Sequence, residues 1–259
     1  MQSKKINVFG IETHYIEAGD EQSDKILVIL HGWGSSTWSW RKVAEGLEES
    51  GIRLVMPDLP GFGQTQEPER PWRLKDYVEF IKTFVDLLGI KKFTLAGHSF
   101  GGQIAVAFAA QHQKDLDKLI LISVARIAKR RKLRITIFRV LTKIGNLLFY
   151  IPPLFFVKPL FKKLWYKIAG ERDYYRSSKL MRDTMKLVLE KEVVGHLLNE
   201  IRIPTLILWG DKDDVTPLED GEIINKQIPG SILHLFKGQG HPINRKVPDK
   251  IVEEIKKFI

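Results

Sequence analysis

A serine in a glycine-rich run is the first residue of this chain that could act as a nucleophile. Residues 97–101 read Gly-His-Ser-Phe-Gly, after the β-rich run 93–96 and at the start of an alanine-rich helical stretch. A serine at such a strand–turn–helix junction takes a strained backbone conformation, and small residues on either side leave room for the sharp turn. We therefore predict that Ser99 presents its hydroxyl above the strand end. A glycine-rich turn of purely structural use is the alternative interpretation.

A serine hydroxyl needs a general base, and His241 is the histidine best placed to supply one. It lies in the loop Gly-Gln-Gly-His-Pro at residues 238–242, after the last predicted strand. Two glycines before it allow the ring to project over the edge of the sheet. The other six histidines fall in turn motifs or in predicted strands and helices: His14, His31, His98, His112, His196 and His234. We predict that His241 is the base for Ser99.

An acid that orients this histidine is expected in the turn Gly-Asp-Lys-Asp-Asp-Val-Thr-Pro at residues 210–217, which follows a predicted strand. Three aspartates compete there. Asp213 lies far enough beyond the strand to turn toward His241. Asp211 and Asp214 are better placed to cap the turn or the next helix. We predict that Asp213 is the acid.

Two backbone amides are candidates to stabilise the oxyanion that a serine attack would create. The turn His-Gly-Trp-Gly at residues 31–34 follows the apolar run 26–30, and its amides can face the nucleophile across the sheet. The amides of Trp33 and Phe100 are the natural donors, and losing one such donor typically costs about 10²- to 10³-fold in rate. The Trp33 side chain is expected to line the pocket.

The elements that would position these residues alternate between short strands and helices. This alternation predicts an α/β fold, a mostly parallel central sheet flanked by helices. Strands are predicted at residues 6–9, 13–17, 26–30, 53–56, 93–96, 119–124, 205–209 and 231–236, and helices at residues 38–49, 74–88, 100–111, 218–227 and 246–258. The alternation breaks at 126–200, which predicts a helical cap inserted into a core formed by 1–125 and 201–259.

Composition excludes several classes of protein. The 259 residues are 44% hydrophobic and 28% charged, as in an ordinary globular protein, and the absence of cysteine excludes disulfide scaffolds, thiolate metal sites and cysteine nucleophiles. The longest apolar stretch is too short and too rich in proline to span a membrane. The N-terminal residues lead into a strand-like pattern and not into a signal core, so we expect a cytoplasmic protein.

The predicted cap carries a net charge of +12, so the rest of the chain is at −2 and the net charge of +10 comes entirely from the cap. Residues 126–200 contain 18 lysine and arginine residues against 6 aspartate and glutamate residues, together with many large apolar residues between 147 and 166. This mixture predicts an apolar acyl pocket under a basic rim that attracts an acidic carrier protein or an anionic surface. The alternative is that the aromatic residues only fix the cap to the sheet and the charges only solvate it. Nucleic-acid binding is not expected, because no recognised motif accompanies the charge.

Five motifs together resemble those of the α/β-hydrolase superfamily, in its chain order of nucleophile, acid and histidine, over nearly the whole chain. They are Leu-His-Gly-Trp-Gly at 30–34, Asp-Leu-Pro-Gly-Phe-Gly at 58–63, Gly-His-Ser-Phe-Gly-Gly at 97–102, the turn 210–217 and Gly-His at 240–241. The resemblance implies a triad of Ser99, Asp213 and His241 that uses no metal or organic cofactor. It also implies a helical cap at the position of residues 126–200.

Within that superfamily the sequence is most similar to the capped carboxylesterase and lipase-like branch. Dehalogenases and epoxide hydrolases carry an aspartate nucleophile, and the motifs typical of proline iminopeptidases and of ring-cleavage C–C hydrolases are missing. The resemblance implies a serine esterase that cleaves a small ester with a hydrophobic acyl group. The alternatives are an esterase for acyl groups on an acidic carrier protein or lipid, an acyltransferase or lyase with the same triad, and a non-catalytic ligand-binding protein.

Overall fold

The computed structural model describes residues 1–128 and 177–259 of the chain. Its central feature is an eight-stranded sheet with the order β1-β2-β4-β3-β5-β6-β7-β8. The strands are β1 Gln2–Val8, β2 Ile11–Gly19, β3 Ile26–Leu30, β4 Arg53–Pro57, β5 Phe93–His98, β6 Leu116–Ile122, β7 Thr205–Gly210 and β8 Ile232–Phe236. All neighbours from β4 to β8 pair in parallel, while β1 with β2 and β2 with β4 are antiparallel. The prediction of a mostly parallel α/β sheet is confirmed.

Helices connect these strands and supply the crossovers that parallel pairing requires. They are α1 Arg41–Leu47, α2 Leu74–Leu87, α3 Phe100–His112, α4 Lys179–Met185, α5 Leu218–Gln227, α6 Ile243–Lys246 and α7 Pro248–Phe258. Three 3₁₀ turns, Thr37–Trp40, Gln113–Asp115 and Gly195–Glu200, and a π-helical turn, Lys186–Lys191, complete the described elements. Helix α3 is buried along most of its length, and its alanines and glycines allow that close packing.

The parallel strands have the sequence pattern of strands covered on both faces. β3 reads Ile-Leu-Val-Ile-Leu and β7 reads Thr-Leu-Ile-Leu-Trp-Gly, with every residue of β7 buried. Because parallel sheets carry helices on their faces, such strands are apolar throughout and do not alternate with polar residues. Strands β3, β5 and β7 are buried in this way, whereas β8 is partly exposed, and each predicted site residue follows the carboxyl end of one of these four strands.

The last predicted helix is divided in the structure. The sequence predicts one helix over 246–258, whereas α6 ends at Lys246 and α7 begins at Pro248. Val247 between them has φ −134° and ψ 54°, outside the helical region. A proline disfavours the α conformation in the residue before it, and it is itself well suited to the first position of a helix. Pro248 thus ends one helix and begins the next.

The chain forms two compact units, one of residues 1–128 and 183–259 and the other of residues 129–182. The first unit contains the whole sheet, and it includes residues 183–200, which the sequence analysis assigned to the cap. The basic and aromatic part of the predicted cap falls mostly outside the described residues, so the cap stays a prediction. Within the described ranges, no helix is long and apolar enough to cross a membrane.

Candidate active site

Ser99 lies in a tight turn between β5 and α3, with φ 54° and ψ −112°. This positive φ is unusual for a residue other than glycine and costs roughly 1–3 kcal/mol, a strain that is typical of functional sites. Two hydrogen bonds hold the turn against the end of β6 and the loop after it. The Ser99 amide donates to the Ile122 carbonyl, and the Ser99 carbonyl accepts from the Ala125 amide, each at 3.0 Å. The side chain is half-buried. The strained turn expected from the sequence is present.

The two glycines around Ser99 are required by close backbone contacts. A Cβ atom on Gly97 would lie 2.3 Å from the Gly101 carbonyl oxygen, and one on Gly101 would lie 2.4 Å from the Leu30 carbonyl oxygen. Both distances are far below van der Waals contact. Glycine at these positions therefore lets α3 begin directly against the ends of β3 and β5, with Ser99 at the junction.

Asp213 and His241 form a direct hydrogen bond. The His241 Nδ1 atom lies 2.8 Å from the Asp213 Oδ2 atom, and the two side chains are 15% and 0% exposed. The second oxygen of Asp213 accepts the amides of Val215 and Thr216 at 2.9 and 2.8 Å, so the carboxylate is fixed on both sides. With the Nδ1 proton donated to Asp213, the Nε2 atom keeps its lone pair for a proton acceptor role.

The surroundings of Asp213 keep it ionised. Burial raises the pKa of this carboxyl, but hydrogen bonds from His241 and Thr216 lower it more, and the net pKa lies below the ordinary aspartate value. The other two candidates are placed elsewhere. Asp211 accepts the Gly238 amide at 2.6 Å, and Asp214 is exposed. Of the three competing aspartates, only Asp213 is hydrogen-bonded to His241.

His98, the neighbour of Ser99, connects the serine turn to the His241 loop. Its Nε2 atom lies 3.1 Å from the His241 carbonyl oxygen, to which it donates, and the two imidazole rings are 4.8 Å apart. Burial lowers the pKa of His98 to about 3, so the ring is neutral at physiological pH. Among the hydrogen bonds of the described residues there is none between the Ser99 hydroxyl and His241; the His98 ring, next to Ser99 in the chain, is what contacts the His241 loop. The local sequence indicates only a turn motif at His98 and gives no sign of this contact.

The turn that carries Trp33 is held from both ends. At its start, the His31 ring donates from Nδ1 to the Gly32 carbonyl at 2.8 Å, and its Nε2 accepts the Leu59 amide at 2.9 Å. Beyond its end, the Thr37 amide donates to Asp58 Oδ1 at 2.7 Å. Burial lowers the pKa of His31 and keeps it neutral, as this pair of bonds requires. Asp58 and Leu59, the two residues that follow β4, therefore hold this turn in place.

This fixed turn packs against the serine. A Cβ atom added to Gly32 would lie 3.3 Å from the Ser99 Cβ atom. The Trp33 ring meets Phe62 and Phe100 edge to face, with ring centres 4.9 and 5.2 Å apart. Phe100 is the first residue of α3, where backbone amides have no partner within the helix. The predicted amide donors therefore belong to two segments that both contact Ser99.

Comparison with known proteins places this chain in a family. A family model described as alpha/beta hydrolase fold matches residues 25–136. The chain is 31% identical, over 90% of both chains, to the AB hydrolase superfamily protein YisY of Bacillus subtilis. It is 26% identical to Lipase 1 of Psychrobacter immobilis, over 94% of this chain and 79% of the lipase. A crystal structure of a bacterial membrane phospholipase A superposes with a TM-score of 0.79 at 25% identity, over 99% of this chain and 85% of the other. The chain belongs to the α/β-hydrolase superfamily.

Proposed function

We propose that the protein is a serine esterase that cleaves carboxylic esters through an acyl-enzyme, with Ser99 as nucleophile, His241 as general base and Asp213 as the acid that orients it. The observation that carries the proposal is the 2.8 Å bond between His241 Nδ1 and Asp213, which leaves Nε2 unprotonated. Two further observations support the role of Ser99: the strained turn that holds it, and the hydrogen bond from the neighbouring His98 to the His241 carbonyl.

The first half of the reaction is acylation. The Ser99 oxygen attacks the ester carbonyl and its proton passes to His241 Nε2. The amides of Trp33 and Phe100 donate to the oxyanion that forms, and Asp213 stabilises the positively charged ring. When the tetrahedral intermediate collapses, the C–O bond to the alcohol breaks and the alcohol takes the proton from His241.

Water then releases the acid. His241 removes a proton from a water molecule, the hydroxide attacks the acyl-enzyme, and the returning proton restores the Ser99 hydroxyl. The proposed chemistry uses no metal or organic cofactor. Transfer to another acceptor in place of water would make the enzyme an acyltransferase, and analysis of the products separates the two reactions.

A hydrophobic acyl group is the proposed substrate. The rings of Trp33, Phe62 and Phe100 form a continuous apolar contact beside the serine turn. The similarity to a protein named as a lipase favours the same kind of substrate. The basic segment 126–200 supports a variant in which the acyl group arrives on an acidic carrier protein or an anionic lipid surface.

A panel of p-nitrophenyl and methyl esters of graded chain length tests the substrate class. We expect kcat/KM to rise from acetate to longer acyl chains, because each buried methylene is worth about 0.8 kcal/mol. The carrier or surface variant predicts that activity on long or carrier-bound acyl substrates falls steeply as salt rises, since exposed charges are screened within about 10 Å at 0.1 M, and salt-insensitive kinetics would contradict it. Inactivity toward every ester would contradict the esterase proposal and favour a ligand-binding protein.

The contact between His98 and the His241 carbonyl predicts a positioning role for His98. A His98→Ala substitution removes both the donor and the ring that contacts His241, so we expect kcat to fall by about 10²-fold through misplacement of the base. KM should change little, because His98 is buried. Steady-state kinetics on one p-nitrophenyl ester measures both constants.

A His98→Gln variant is the matched rescue, because its side-chain amide can donate from nearly the same place. It should recover most of the lost kcat. A His234→Ala variant, which alters a partly exposed histidine on β8, controls for the loss of a histidine as such. Unchanged kcat in folded His98→Ala would show that the His241 loop is held without it.

A further inference from the structure

A second serine, histidine and aspartate are connected by hydrogen bonds, and none of them belongs to the proposed triad of Ser99, Asp213 and His241. The Ser3 Oγ atom lies 2.9 Å from His14 Nε2, and His14 Nδ1 lies 2.8 Å from Asp58 Oδ2. Ser3 belongs to β1, His14 to β2, and Asp58 directly follows β4. In both His14 and His241, the Nδ1 atom faces the aspartate carboxylate.

The surroundings of Asp58 determine which nitrogen carries the proton. Asp58 also accepts the Thr37 amide at 2.7 Å on Oδ1 and the Gln64 amide at 3.0 Å on Oδ2. Both oxygens of Asp58 thus accept hydrogen bonds from N–H donors. His14 therefore donates from Nδ1, and its Nε2 lone pair accepts the Ser3 hydroxyl proton.

Sheet register fixes this line, and one end of it faces solvent. Lys5 pairs with His14 across β1 and β2, so Ser3, two residues before Lys5, lies diagonally opposite His14 on the same face. The Asp58 amide donates to the His14 carbonyl at 2.9 Å, which ties the third member to β2. The side chains of His14 and Asp58 are 3% and 2% exposed, whereas Ser3 is exposed.

We propose that Ser3 is a second base-activated nucleophile, a modification site open to acyl and phosphonyl electrophiles from solution. The Ser3 oxygen attacks the electrophilic carbon or phosphorus, its proton passes to His14 Nε2, and the leaving group departs with its bonding electrons. His14 then gives the proton to water or to the leaving group. The proposal does not depend on esterase activity at Ser99.

The expected outcome at Ser3 is a lasting adduct and not turnover. Ser3 lies within β1, so in the described part of the chain no helix begins directly after it, whereas α3 begins directly after Ser99 and offers the proposed amide donor of Phe100. Oxyanion donors are worth about 10²- to 10³-fold each, so deacylation at Ser3 is slow. A general base nevertheless contributes about 10²- to 10⁴-fold to the first step.

Labelling of the Ser99→Ala protein with an alkyl fluorophosphonate tests the proposal, because this probe phosphonylates activated serines and releases fluoride. Peptide mapping by mass spectrometry should place the adduct on Ser3. It should form about 10²-fold faster there than on Ser23, whose hydroxyl donates to the Gly51 carbonyl at 2.6 Å. Adding Ser3→Ala should abolish it. Equal labelling of both serines, or none at Ser3, would overturn the proposal.

A thiol version of the test avoids any change in the buried residues. The chain has no cysteine, so Ser3→Cys introduces a single thiol next to His14, and Ser23→Cys introduces one without a histidine partner. A thiol beside an imidazole ionises more readily. Iodoacetamide should therefore alkylate Ser3→Cys about tenfold faster than Ser23→Cys at neutral pH. Equal rates would show that His14 does not act as a base at this position.

Discussion

Replacing Ser99 with alanine should lower kcat for ester hydrolysis by about 10⁴-fold or more, the loss typical when the nucleophile of such a triad is removed. The Ser99 oxygen is the proposed atom that carries the acyl group, and no other group can take its place in the turn. The substitution shortens a half-buried side chain without adding atoms, so the fold should persist. Stopped-flow release of p-nitrophenol measures both the burst and the steady state.

A Ser231→Ala variant is the control and should keep its full rate, because the lost hydroxyl donates to the Ile228 carbonyl just before β8, at the opposite end of that strand from the His241 loop. The burst of product that marks acylation should vanish with Ser99→Ala only. A rate within tenfold of the unmodified enzyme would show that a different residue is the nucleophile. Circular dichroism on the same samples separates loss of chemistry from loss of fold.

Replacing Asp213 with asparagine should lower kcat by about 10⁴-fold, because an amide in this place can hold His241 in the wrong tautomer. The Asp213 carboxylate now accepts the Nδ1 proton at 2.8 Å. An asparagine NH₂ group would instead donate to Nδ1, which moves the ring proton to Nε2 and removes the lone pair that Ser99 needs. Steady-state kinetics on the preferred ester measures the loss.

Asp214→Asn is the matched control, since it removes the same charge from the same loop at an exposed position. Its kcat should stay within a few-fold of the unmodified enzyme. Comparable losses in both variants would mean that the charge of the loop matters and that Asp213 has no special role. Full activity of Asp213→Asn would contradict the proposed triad.

The lowered pKa of Asp213 also has a consequence for stability. Because the folded-state pKa lies below the ordinary aspartate value of about 3.9, ionisation of Asp213 stabilises the fold at any pH above that value. This stabilisation is lost as the pH falls through the lower, folded-state pKa. Since the lowered pKa keeps Asp213 ionised above the ordinary aspartate pKa, titration of Asp213 should not change the activity at any pH above that value.

The sequence was sufficient for the positions that follow strands. Strands such as β3 and β7 can be predicted from their apolar runs, because strands buried on both faces contain few polar residues. Glycines indicate the turns that follow them. Asp213 was separated from its neighbours by its distance from the strand end, and the structure shows it bonded to His241. Short-range pattern and chain order carry this much information.

Contacts between distant segments were not predictable in the same way. His98 and His241 are 143 residues apart, and nothing in either local sequence indicates that one ring donates to the other's carbonyl. The same is true of the His31 ring, which follows β3 and accepts the amide of Leu59, a residue that follows the neighbouring strand β4. Such bonds depend on side-chain direction after packing, whereas the break at Val247 depends on Pro248 alone and could have been foreseen.

The order of the strands separates the proposed active site along the chain. Ser99 and the turn of Trp33 follow β5 and β3, while Asp213 and His241 follow β7 and β8, which are made later in synthesis. On the proposed mechanism, a polypeptide that has emerged from the ribosome only as far as β6 carries a serine without its base and its acid. Ester cleavage becomes available only after β8 and the His241 loop have also been made.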